Sequence, residues 1–131
     1  MTAPELPYEV RALLQRSLPS MVHVEALLLL AKTPSESHQP HAVAGKIGTT
    51  PEITTAALGD LVTSRLVEVA PGSAPLEYRL AATDAATVHA MASLQEMYDR
   101  RPVTLVKAVY DRPPAPLKAF ADAFRVRKEE G

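Results

Sequence analysis

At 131 residues, 47% of them apolar, the chain is long enough to bury a core without staples and too apolar to stay disordered. Fourteen basic residues against fifteen acidic ones leave a net charge of −1, which excludes a protein that gathers nucleic acid by bulk charge. The absence of Cys excludes disulfides, thiolate zinc sites and Cys-based redox sensing.

The amino terminus has no basic region followed by an apolar core, so no signal peptide is expected and the chain reads as cytoplasmic. Pro4–Leu18 places Leu6, Val10, Leu13 and Leu14 on one stripe, the pattern of an amphipathic helix. Pro19 breaks it and Ser20 caps the next. Met21–Lys32 is apolar on nearly every side, with His23 and Glu25 as exceptions, and reads as the central core helix. Its apolar run Ala26–Ala31 is far too short to span a bilayer, so no membrane partner is expected. Thr33–Pro40 is a polar loop.

The stretch Gly48–Leu66 is the centre of the chain. His41–Ile47 can form a short helix, Gly48 a turn, and Pro51–Ser64 a longer helix. Thr50 suits its N-cap, Pro51 its first helical position, and Glu52 the positive end of its dipole. Helix, turn and helix in this order make a helix-turn-helix, with Val43, Ala44, Ile47, Ile53, Ala57, Leu58, Leu61 and Val62 as expected core positions. Leu66–Ala70 and Leu76–Leu80 alternate as strands around the turn Pro71–Pro75, a hairpin or "wing". Thr83–Arg100 presents Val88, Met91, Leu94 and Tyr98, with Met97 beside them, at helical spacing. Pro102–Tyr110 reads as a short helix with Leu105, Val106, Val109 and Tyr110 on one face. After the rigid break Arg112–Pro116, the residues Leu117, Phe120, Ala121 and Phe124 form the stripe of a last helix.

The expected fold class is therefore mainly α with a small β-hairpin wing: a winged helix-turn-helix with extra amino- and carboxy-terminal helices. One domain over 1–131 is expected. Residues 20–80 form its winged-helix core, and the flanking helices at 4–18 and 83–128 form a dimerisation region. Ala42–Ile47, the turn Gly48-Thr49-Thr50-Pro51, Leu58, Leu61, Leu66-Val67 and Tyr78-Arg79-Leu80 resemble winged-helix bacterial transcriptional regulators of MarR-like layout. That resemblance covers about a third of the chain and implies a DNA-binding homodimer built by the terminal helices. Three features depart from it. Arg65 stands where Gly usually ends the second helix, the early positions of that helix carry no base, and the wing tip is uncharged.

The candidate DNA contacts are Lys46, Thr49, Thr50, Glu52, Thr54, Thr55 and Arg65, with Ser73 and Arg79 on the wing. The candidate partner or dimer interface is Leu94, Tyr98, Leu117, Phe120 and Phe124. From His41 to Leu66 the cations Lys46 and Arg65 only cancel Glu52 and Asp60. The alternative is accordingly a winged-helix protein–protein interaction module without significant DNA binding. Most other basic residues lie after Asp99, where cations also suit helix carboxyl ends. His38 and His41, with Glu36 nearby, supply too few ligands for a metal site and read as solvent-exposed loop residues, while His23 and His89 read as structurally satisfied. No phosphate-binding Gly-rich loop, nucleophile elbow or HExxH pair occurs, so neither enzyme activity nor a cofactor is expected.

Overall fold

The computed structural model describes residues 6–81 and 84–111. In chain order the elements are α1 (Tyr8–Ser17), α2 (Met21–Lys32), α3 (Pro40–Ile47), α4 (Pro51–Thr63), β1 (Val67–Val69), β2 (Tyr78–Leu80), α5 (Ala85–Arg100) and α6 (Pro102–Asp111). The fold is a winged helix-turn-helix flanked by helices, as the sequence predicts. The expected start of a helix at Thr83 and the stripe of Leu117, Phe120 and Phe124 lie outside the described residues.

Local chemistry sets the helix boundaries. The Pro7 carbonyl accepts from the amides of Val10 and Arg11, so α1 begins at Tyr8 rather than at Pro4. Ser20 caps α2 by accepting from the His23 amide at 3.3 Å. Pro40 opens α3 instead of closing the preceding loop, because its fixed φ and missing N–H suit a first helical turn. Asp84 is the N-cap of α5, and its carboxylate accepts from the Thr87 hydroxyl at 2.6 Å.

The core lies where α2 meets its neighbours. This helix packs against α3, α4, α5 and β2, which is why it is apolar nearly all round. Val24, Ala26, Leu27 and Leu30 from α2 are fully buried, as are Val10 from α1, Leu58 and Leu61 from α4, Leu94 from α5 and Leu105 from α6. Each such Leu contributes roughly 1.5–3 kcal/mol by leaving water.

Three expected faces are rotated. Ile53 is half exposed, and Thr54 takes the inward position with Ala57, Leu58 and Leu61. On α5, Val88 is exposed and Ala90 is buried with Met91, Leu94 and Met97. On α6, Leu105 and Val109 are buried, one turn apart, whereas Val103, Val106 and Tyr110 point outward. In each case 3.6-residue geometry selects one stripe, and a neighbouring apolar residue a hundred degrees away is left outside.

The wing pairs Val67 with Leu80, Glu68 with Arg79 and Val69 with Tyr78 in antiparallel register. Its strands are shorter than the sequence alternation predicts. Leu66 has committed its N–H to the end of α4, and residues beyond Val69 turn into a loop in which the Ala70 amide reaches the Glu77 carbonyl at 2.8 Å. His38 extends the sheet by one rung. It exchanges backbone hydrogen bonds with Tyr78 at 2.8 and 2.7 Å, while its Nε2 meets the Thr33 hydroxyl at 3.0 Å. His38 is thus half-buried brace rather than free loop, whereas His41 is exposed as expected.

Candidate nucleic-acid interface

The second helix of the helix-turn-helix, α4, is held by three devices. At its start the Thr50 hydroxyl accepts from the Ile53 amide at 3.2 Å, with Pro51 and Glu52 in the first turn. Such a cap is worth about 1 kcal/mol. Along its length, Thr54, Ala57, Leu58 and Leu61 bury one face against α3 and α2. In its third turn Asp60 reaches back to α2, where its carboxylate accepts from His23 Nε2 at 2.9 Å. The other ring nitrogen, Nδ1, meets the Ser20 hydroxyl at 2.7 Å. His23 is therefore satisfied on both nitrogens, although buried to 9% exposure. His89, on α5, meets Glu9 of α1 at 3.2 Å.

Both ends of the turn-and-helix segment use the left-handed region. Gly48 has φ 81° and closes α3, its amide and that of Thr49 both reaching the Ala44 carbonyl. Beyond α4, Arg65 has φ 68°; its amide bonds the Val62 carbonyl at 2.9 Å and that of Leu66 bonds Leu61 at 3.0 Å. This two-bond closure, with Leu61 and Leu66 both buried beside it, is a Schellman motif. The departure at Arg65 is thus one of residue type only: the backbone adopts the conformation that Gly would favour.

The structure sorts the candidate contacts. Lys46, Thr50, Glu52, Thr55 and Arg65 are exposed, and Thr49 is half-buried at the turn. Thr54 is fully buried and its hydroxyl has no hydrogen-bond partner among the described residues, so it faces the core and not a ligand. Ser73 is spent on the wing tip, where its hydroxyl donates to the Ala70 carbonyl at 2.8 Å and accepts from the Glu77 amide at 3.0 Å. Arg79 is paired across the strands with Glu68, Nε to Oε2 at 2.6 Å, which cancels its charge locally. Among the interface candidates, Leu94 is wholly within the core. Tyr98 donates its hydroxyl to Glu25 at 2.9 Å, and this bond, more than burial, raises its pKa above the ordinary tyrosine value.

The outer face of α4 consists of Glu52, Ile53, Thr55, Ala56, Gly59, Asp60 and Thr63, all exposed and without a single Lys or Arg. Composition alone shows how few cations the helix has; the fold adds which of its residues are exposed. The His23–Asp60 link, which joins residues far apart in sequence, carries no local signal that reading the chain could have found. Among the described residues no helix is long and apolar enough to cross a membrane.

A scan against known protein families finds no match for this sequence, and a search of curated proteins finds no relative. Among solved structures, the chain is similar to a variant of ZitR from Lactococcus lactis at 18% identity. The likeness covers 83% of this chain and 73% of that one, with a TM-score of 0.48.

Proposed function

We propose that the protein is a bacterial transcriptional regulator that binds DNA as a homodimer through its winged helix. The observation that carries this reading is the presentation of α4. Its inner face is locked by α2 and α3, and its outer face is exposed apart from the link of the Asp60 carboxylate to His23. In this arrangement α4 enters the major groove. Thr50 and Thr55 then reach bases or phosphates, with Lys46 and Thr49 at the backbone and the wing along the flanking groove. The dimer forms through the terminal helices, where Tyr8 of α1 and the α6 stripe Val103, Val106 and Tyr110 leave large apolar surface in water.

Binding to mixed genomic DNA fragments at two salt concentrations tests the reading. Between about 50 and about 200 mM salt, affinity should fall by at least tenfold, as phosphate-driven binding requires. Lys46→Ala should weaken binding further, and Glu52→Gln should strengthen it by removing an acid from the groove. Absence of binding at the lower salt rejects DNA recognition. Light scattering should give twice the 14.1 kDa protomer mass, reduced to one protomer by Val103→Asp with Tyr110→Asp.

A second reading, docking of a protein partner, is favoured by one observation. Ile53, Ala56, Asp60 and Thr63 form a continuous exposed stripe with an apolar lead residue and no positive charge. Under that reading Ile53→Asp abolishes capture of the partner, whereas neutralising Lys46 has no effect.

A further inference from the structure

We propose that the apolar groove between α2, β2 and α5 is a docking site for this chain's own carboxy-terminal segment, which covers it with Leu117, Phe120, Ala121 and Phe124. The groove has a volume of about 470 Å³. Leu28 and Ala31 of α2, Leu80 of β2, and Val88, Met91 and Ala92 of α5 line it, with Lys32 and Gln95 as its polar side chains. Leu28 and Met91 are buried, whereas Val88 is 50% exposed and Ala92 is exposed beside it. Apolar surface that is concave and continuous with the core is surface that a second apolar element takes out of water.

The occupant follows from where the described chain ends. The Tyr110 hydroxyl accepts from the Met21 amide at 2.9 Å, which puts the end of α6 at the first turn of α2. Ala31, in the groove, stands on the last turn of the same helix, about 15 Å further along at the helical rise. Residues 112–116, Arg-Pro-Pro-Ala-Pro, connect α6 to the apolar stripe. A proline-rich connection reaches about 3.1 Å per residue, so these five span roughly the same 15 Å and bring Leu117 to the groove.

The stripe and the groove each need the other. Leu117, Phe120, Ala121 and Phe124 recur at the spacing of one helix face and include both Phe residues of the protein. A helix that short is marginal in water without an apolar surface to pack on. A segment tethered within reach also acts at an effective concentration of about a millimolar, so at micromolar protein it outcompetes the same segment of a second copy. Docking here does not depend on DNA binding, and it leaves Tyr8 and the outer stripe of α6 to the second protomer.

Disulfide trapping in the full chain tests the assignment, because the protein has no Cys of its own and a bond forms only between Cα atoms within about 7 Å. Ala92→Cys with Ala121→Cys, oxidised at micromolar concentration, should close a bond within one chain: a product of one-protomer mass and altered mobility, reversed by reduction. Ala56→Cys with Ala121→Cys puts the first thiol on the outer face of α4 instead and should crosslink about tenfold less. Adding Phe120→Asp and Phe124→Asp to the first pair should lower its yield by a similar factor, roughly tenfold. Circular dichroism of each reduced variant checks that the fold is intact. Equal yields from the two pairs, or a yield that survives the Asp substitutions, overturn the proposal. A bond between two chains overturns it in favour of a second copy, and no product from the first pair in a folded variant overturns it outright.

Discussion

Gly48 and Arg65 bracket the same segment and solve the same problem with different residues. Each follows a helix, each takes positive φ, and each directs two consecutive amides back to the last turn. At Gly48 a Cβ would meet no other atom within 4 Å, so the glycine is favoured by backbone conformation and not by crowding. At Arg65 the conformation is nearly identical, yet a long charged side chain is present and its backbone cost remains. Where the chain only has to turn, the residue is the one that turns most easily. Where the turn also lines a cleft against α1 and α5, a costlier residue stands.

Four measurements can break or sharpen this contrast, all read as changes in unfolding free energy. The largest effect is expected for Leu61→Ala, which removes a fully buried side chain at the Schellman closure and should cost about 2–5 kcal/mol. Gly48→Arg makes the two turns alike and should destabilise by roughly 1–2 kcal/mol. A neutral outcome would show that the left-handed region is easy for Arg here. Arg65→Gly makes them alike in the other direction and should stabilise by about 1 kcal/mol.

Tyr98→Phe, which leaves the backbone hydrogen bonds of both turns untouched, is the control. It loses the hydrogen bond to Glu25, worth roughly 0.5–1.5 kcal/mol near neutral pH. Because the folded state raises the Tyr98 pKa, folded protein holds that proton more tightly than unfolded protein. The resulting stability is complete below the ordinary tyrosine pKa of about 10 and is lost as pH rises through the raised value. The variant should therefore show a shallower alkaline loss of stability than the parent.

The order of elements was legible because its signals are local. Ser20 before an apolar run, Thr50-Pro51 at a helix start and two alternating runs around a Pro/Gly turn each act within a few residues. The rotation of α4 was not legible. Hydrophobicity alone places Ile53 inward, yet the stripe that packs best runs through Leu58 and Leu61 and carries Thr54 with it. The buried Thr54 hydroxyl is the consequence, and it removes one residue from the exposed face. Nor could the chain announce the His23–Asp60 link, which joins residues brought together only by packing of elements distant in sequence, whereas the Arg79–Glu68 pair follows from the register of one hairpin.

The rung between His38 and Tyr78 has a mechanical consequence. Two backbone bonds, with a third link from the Ser37 hydroxyl to the Glu77 carboxylate at 2.6 Å, splice the segment ahead of α3 to the second strand of the wing. The hairpin therefore cannot swing as a free flap: displacing its second strand pulls directly on the entrance to the helix-turn-helix. Any partner that grips the wing also loads α3, and the His38 and Tyr78 amides should exchange with solvent together, as one opening event, rather than one after the other.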